Sequence, residues 1–325
     1  MIVVQAPLRV SFFGGGTDLP AFYTREPGCV LSTAIDKRVY VIITERFDDL
    51  IYVNYSRKEI VTAVDDVEHG LVREAMKITG VTSGVEITTL ADVPSEGSGL
   101  GSSSSITVAL LLGLSANQFD PMSPTRLAEE ACRIEIDRLG KPIGKQDQYI
   151  AAFGGIRHIA FHPDERVTVE RVDLTESVRV RLSQRLMLFY TGRTRSADPI
   201  LQEQAQRVGD SIDALREMKA QAMRGLAVLH SGDLDRFGAL LHEAWTLKRE
   251  LGNGITDRGI DAMYGAARAA GALGGKITGA GGGGFLLLYV PPAAQDAVRD
   301  ALRGYREVPI GLERDGAKVI LNVHR

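Results

Sequence analysis

Pro94-Ser95-Glu96-Gly97-Ser98-Gly99-Leu100-Gly101-Ser102-Ser103-Ser104-Ser105 decides how this chain is read. Three glycines alternate with other residues, and four serines follow without a break. Upstream, Val85-Glu86-Ile87-Thr88-Thr89 alternates as a strand does; downstream, Ile106 to Leu114 is an apolar run of helical length. The order is strand, glycine loop, hydroxyl cluster, helix start. Glycine lets backbone come close to a bulky anion. The first turn of a helix offers unpaired N–H groups and the positive end of the dipole. Together they predict a phosphate cradle. A plain helix cap accounts for one or two of these serines, not for the whole set. Two commoner loops do not fit. No lysine follows Gly101, as a Walker A loop requires, and Ser102 stands where a dinucleotide fingerprint needs its third glycine. Gly279, Gly281 and Gly284 do fit that fingerprint, but they lead into the strand-like Phe285 to Val290 rather than a helix.

Working outward, Ile2 to Ala6 and Leu8 to Phe13 read as strand and run into Gly14-Gly15-Gly16-Thr17-Asp18. Val30 to Ile35, Val39 to Glu45 and Ile51 to Tyr55 are β-branched or aromatic and predict further strands. Ser123-Pro124 is a helix start, and the helix predicted over 125–139 carries Glu135 beside its apolar stripe. Lys145 to Gln148 form a polar knot. After Tyr190 the pattern turns helical, with helices predicted over 199–229, 234–251 and 256–270, then strand 285–290, helix 293–303 and strand 318–323. Strands dominate the first half and helices open the second. The expected fold is α+β, with two domains, 1–185 and 186–325, and the site in the cleft between them.

The chain has 325 residues, enough for two packed units, and a formal net charge of −3, so nothing global points to nucleic acid or an anionic membrane. No apolar run approaches the roughly 20 residues that span a bilayer, and the start lacks the pattern of a signal peptide. Cys29 and Cys132, the only cysteines, read as buried, reduced thiols of a cytoplasmic protein.

Three motifs in order resemble those of the GHMP small-molecule kinases, which act on galactose, homoserine, mevalonate and phosphomevalonate. Arg9 to Asp18 is similar to the first motif in its sugar-kinase form, Pro94 to Ser103 to the phosphate-binding motif, and Lys276-Ile277-Thr278-Gly279-Ala280-Gly281-Gly282-Gly283-Gly284 to the third. Gly-Gly-Gly-Thr-Asp-Leu-Pro, with Gly-Lys-Gln-Asp-Gln at 144–148, resembles the branch that phosphorylates a manno-heptose 7-phosphate at its anomeric carbon. Galactokinases usually have glutamate and histidine at the positions of Gly15 and Gly16, which speaks against galactose.

The resemblance implies ATP and Mg2+ as cofactors. Gly97, Ser98, Gly99, Leu100, Gly101, Ser102, Ser103 and Ser104 would wrap the nucleotide phosphates. Ser103 and Glu135 would hold the metal, with hydroxyl and carboxylate as hard oxygen ligands. Asp147 would act at the attacked hydroxyl, as general base or orienting group. Arg9 would neutralise charge on the moving phosphoryl group, or else form a structural ion pair with Asp147. Gly15, Gly16, Thr17, Asp18, Gly281 and Gly282 would line the sugar site. A distal sugar phosphate needs cations of its own. Arg193 and Arg195, on a Gly-Arg-Thr-Arg loop, are the first choice, ahead of Lys145, Lys248, Arg249 and Lys276.

The implied activity is transfer from ATP to a heptose 7-phosphate for bacterial surface polysaccharide. Rival readings are a fucose- or galactose-type kinase, a decarboxylase of the mevalonate branch, and a non-catalytic sugar- or nucleotide-binding relative. Expected partners are a small-molecule sugar phosphate and a nucleotide, with no nucleic acid and no membrane. Homo-oligomerisation stays open.

Overall fold

The structure is a computed structural model that describes residues 1–94, 97–194, 198–209, 211–252 and 254–323. Strands β1 (Ile2–Phe13), β2 (Gly28–Glu45), β3 (Ile51–Asn54), β4 (Lys58–Val61), β5 (Val85–Ala91), β6 (Ile156–Phe161) and β7 (Val167–Arg171) build a first sheet. It is antiparallel except for the β3–β5 pair. Strands β8 (Leu186–Tyr190), β9 (Gly274–Ile277), β10 (Phe285–Tyr289) and β11 (Arg306–Glu307) form a second sheet, in the order β11-β8-β10-β9. The last strand, β12 (Lys318–Asn322), returns to the first sheet and pairs with β1. The expected second unit, 186–325, thus gives up its last strand, which covers what would otherwise be an open edge of β1.

The two strands expected over 30–35 and 39–45 are one. Asp36-Lys37-Arg38 reads as a break, but β1 pairs with both halves, Arg38 stands opposite Pro7, and Asp36 and Lys37 are taken up as a register shift. The halves differ in their other partner, β6 for residues 28–33 and β5 for 39–45.

Helices α1 (Pro20–Tyr23), α2 (Gly70–Thr79), α3 (Ser102–Asn117), α4 (Pro124–Cys132), α5 (Gln146–Phe153) and α6 (Glu176–Gln184) belong to the first half. The second half holds α7 (Asp198–Gln206), α8 (Ile212–Ser231), α9 (Leu234–Arg249), α10 (Arg258–Ala269) and α11 (Gln295–Ala301). Helix α3 packs on β1 and β2 and is covered by α2, α4 and α5. That explains an apolar run without a polar face: Val108 to Leu111 are fully buried. Gly113 lets α3 approach the sheet, since a Cβ there would lie 2.7 Å from Ile43 Cδ1. The helix expected over 199–229 is two helices, α7 and α8. Gly209 lies between them, where a helix interior would cost about 1 kcal/mol, and buried Val208 anchors the turn.

The halves join through aromatic rings. Phe12 and Phe13, at the end of β1, both meet Phe237 of α9 edge-on, at 5.2 and 5.3 Å between centroids. The same strand presents Arg9 and Ser11 to a cavity between the halves. Among the described residues no helix is long and apolar enough to cross a membrane. Cys29 and Cys132 are buried free thiols.

Candidate active site

One cavity of about 210 Å³ lies where the three glycine-rich stretches meet. Gly101 enters the left-handed region at φ +78 and caps α3, which places Ser102, Ser103 and Ser104 in the first helical turn. Ser105 donates to the Pro7 carbonyl at 2.8 Å, tying the helix start to β1. Gly99 lies so close to the third motif that a Cβ would stand 2.5 Å from the Thr278 carbonyl oxygen. Thr278 in turn donates to the Ser98 carbonyl at 3.1 Å. The third motif therefore buttresses the phosphate loop rather than standing apart from it.

Glu135 is fully buried. Helix α4 runs on into a π-helical turn, Arg133–Arg138. The wider turn carries Glu135 inward from the edge of the apolar stripe. Its Oε1 accepts from Ser103 Oγ at 2.5 Å and from Lys141 Nζ at 3.0 Å, and its Oε2 from Gln148 Nε2 at 2.7 Å. Lys141 also donates to Ser103 Oγ at 2.6 Å. The ammonium thus bridges the hydroxyl and the carboxylate that the resemblance implies as metal ligands.

Asp147 sits in the first turn of α5 rather than in a loop. Arg9 Nε and Nη2 donate to its two oxygens at 2.7 and 2.6 Å, and Nη1 donates to the Gly99 carbonyl at 2.5 Å. The ion-pair reading of Arg9 and its placement beside the phosphate loop hold together. Asp18 is buried and accepts from the Gly16 amide at 2.9 Å. Burial, and then the charge of Asp147, push its carboxyl above the usual range, against the lowering hydrogen bonds from the Gly16 and Gln146 amides. Ser11 is also on the cavity wall, and among the described residues its buried Oγ has no hydrogen-bond partner.

Gly15, Gly16, Gly97, Ser98 and Gly281 also line the cavity. Six expected residues do not. Arg249 pairs with Asp261 at 3.2 Å. Leu100 is a core side chain whose carbonyl accepts from the Arg9 amide. Thr17 is buried and bonds the Gly14 and Cys29 carbonyls, bracing the first glycine loop. The Gly282 amide is taken by the Ile255 carbonyl at 2.9 Å. Lys145 pairs with Glu165 and lies over the Tyr23 ring. Arg193 is 61% exposed and bonds Asp257 at 2.5 Å. Arg195 lies outside the described residues. In their place stand two buried lysines, Lys248 and Lys276, both on the cavity wall. Sequence reasoning ranked these two below the arginines and missed Lys141, Gln148 and Ser11. Lys141 and Gln148 join the site through Ser103 and Glu135, contacts that no local spacing marks.

Residues 50–155 match the model of the GHMP kinases N terminal domain, and residues 222–307 that of the GHMP kinases C terminal domain. The chain belongs to the GHMP kinase family. It is an ATP-dependent sugar kinase of that family. This GHMP kinase is 29% identical over 316 residues to the D-glycero-alpha-D-manno-heptose 7-phosphate kinase of Campylobacter jejuni, covering 93% of each chain. It is 27% identical to a mevalonate kinase of Methanothermobacter thermautotrophicus, over 93% of this chain and 94% of that one. The crystal structure of a D-glycero-D-manno-heptose 1-phosphate kinase from Bacteroides thetaiotaomicron superposes with a TM-score of 0.84, at 25% identity and over the whole of both chains.

Proposed function

We propose that this kinase transfers the γ-phosphoryl group of ATP to the anomeric hydroxyl of a manno-heptose 7-phosphate, giving the 1,7-bisphosphate. The observation that carries the reading is the Arg9–Asp147 pair, seated between the phosphate loop and the first glycine loop in one cavity. The Campylobacter jejuni relative, aligned along nearly the whole chain, supports the heptose.

In this reading the amides at the start of α3 hold the nucleotide phosphates. Ser103 Oγ and Glu135 are hard oxygen donors and so fit Mg2+, although among the described residues no group of three or more His, Cys, Asp or Glu is arranged to hold a metal by itself. The nucleotide would supply the remaining ligands. Bound there, Mg2+ would neutralise charge on the phosphates. Asp147 Oδ2 faces Gly101, where a Cβ would lie 3.2 Å away. The carboxylate is thereby held next to the loop that positions the γ-phosphate. It orients the attacking hydroxyl and accepts its proton as the O–P bond forms, while the bond from Pγ to the bridging oxygen breaks and ADP leaves. Arg9 fixes the carboxylate and keeps positive charge beside the phosphoryl group. Asp18 and Ser11 accept and donate hydrogen bonds to sugar hydroxyls.

ADP release measured over a panel of heptose 7-phosphate, fucose, galactose, mevalonate and the free heptose tests the substrate. Phosphorus NMR of the product locates the new ester. Highest kcat/KM on the heptose 7-phosphate with an anomeric phosphate supports the proposal. Preference for another acceptor, or phosphate on another carbon, overturns it.

A further inference from the structure

We infer that Lys248 and Lys276 form the seat for the sugar's own, non-transferred phosphate. The inference rests on the sugar-phosphate reading above and names the residues that would make it selective.

The cavity's cations are not equivalent. Arg9 is neutralised by Asp147 and Lys141 by Glu135. Lys248, on α9, donates to the Gly279 carbonyl, and Lys276, on β9, to the Phe12 carbonyl at 3.2 Å. Among the described residues neither forms an ion pair. Both are nine-tenths or more buried, at 7% and 4% exposure. Burying an ammonium without a counter-charge is costly, and burial depresses the pKa of both groups, to about 8 for Lys248. The other charges acting on them are Arg9 and the single carboxylate Asp18, itself held by backbone amides. Two buried cations facing one carboxylate leave the site short of negative charge. A phosphate dianion supplies it and accepts hydrogen bonds from both ammonium groups.

Lys276 sets one side of this seat away from the nucleotide's, and Lys248, bonded to Gly279, sets the other against the phosphate loop, since a Cβ at Gly279 would lie 2.7 Å from Gly99 Cα. Lys276 bonds Phe12, two residues before the Gly14-Gly15-Gly16 loop, so its ammonium stands by the first glycine loop. Gly15 and Gly16 line the same cavity as the two lysines. Ser103, Glu135 and Lys141 already form a separate polar cluster at the start of α3. With two seats, the substrate's phosphate does not compete with the transferred one. Arg193, exposed and held by Asp257, does not reach this wall.

The test compares Lys248→Met and Lys276→Met with the wild type. kcat/KM is measured on a sugar phosphate and on the same sugar without its phosphate, with KM for ATP and Tm recorded alongside. A charge-assisted hydrogen bond lost from such a pair corresponds to about 10- to 100-fold. The loss on the sugar phosphate should exceed the loss on the free sugar by that factor, with KM for ATP shifted less than about 3-fold. In the wild type, inorganic phosphate should compete with the sugar phosphate and not with ATP, a readout that needs no variant to fold. Equal losses on both sugars, a rise in KM for ATP that tracks the loss, or phosphate competing with ATP alone would overturn the inference. If the wild type turns over a different sugar phosphate, the heptose proposal falls and the lysine comparison is made on that substrate. If it prefers every free sugar over its phosphate, the lysine inference falls.

Discussion

The Arg9 guanidinium grips Asp147 through two parallel hydrogen bonds of 2.7 and 2.6 Å, while its third nitrogen holds the Gly99 carbonyl at 2.5 Å. Arg9 is 6% and Asp147 21% exposed at the side chain. A bidentate pair of this kind fixes orientation as well as charge. One end of it belongs to β1, the other to α5, and the third contact to the phosphate loop, so three distant segments set one carboxylate.

Asp147→Asn keeps the shape and removes the charge and basicity. A positioned general base contributes about 10²- to 10⁴-fold, and kcat should fall by that much with KM for ATP little changed. Arg9→Met frees the carboxylate and should lower kcat as well, and the double variant should lose much less than the product of the two losses. Steady-state kinetics of the three variants measure this; multiplicative losses would mean that the pair does not act as a unit.

Ser103 and Glu135 touch at 2.5 Å. If they share one Mg2+, Ser103→Ala and Glu135→Gln should each raise the Mg2+ concentration needed for half-maximal rate, by amounts that do not multiply in the double variant. Mg2+ titrations of the rate, with Tm recorded as a check on folding, decide it. Unchanged Mg2+ curves in both variants would remove these residues from the metal site.

The Lys248 ammonium loses its proton at about pH 8 in the folded chain, against 10.5 for an ordinary lysine, first because it is buried and then because Arg9 lies near; Asp18 opposes. Lys276 faces it from β9. The unfolded chain therefore binds more protons between about pH 8 and 10.5, and the cost of this group is fully present below pH 8 and fades as pH rises. Lys248→Met should raise Tm by a few degrees at pH 7, and the gain should shrink towards pH 10. Calorimetry at both values checks it. A gain independent of pH would show that the effect comes from packing and not from charge.

Gly99, at φ +70, meets Thr278 where a side chain would begin. Gly99→Ala adds both backbone strain and a clash with backbone, so the phosphate loop must pull away from the third motif. KM for ATP should rise at least about 10-fold, since charge-assisted contacts of about 1.5 to 3 kcal/mol depend on that loop, and Tm should fall by a few degrees from the strain. An unchanged KM would mean that the loop–loop contact does not position the nucleotide.

What the sequence by itself determined is local and repeated in pattern. Glycines spaced through 97–101, serines opening α3 and β-branched strands give the mixed fold, the family and the glycine loop that starts α3, because backbone freedom, helix capping and strand periodicity act between near neighbours. Tertiary structure decided the rest. Asp36-Lys37-Arg38 looks like a break, yet β1 spans it on one side. Glu135 looks like an edge residue, yet a π turn inserts one more residue and turns it inward. Gly-Arg-Thr-Arg looks like a phosphate loop, yet Asp257, 64 residues from Arg193, already holds that arginine at the surface. Lys248 and Lys276 look like ordinary lysines, one on a helix and one at the head of a glycine cluster. The packing of α9 on β9 and on the end of β1 buries both, and among the described residues neither has a carboxylate partner. Burial and pairing are sums over contacts from the whole chain, and no local spacing carries them.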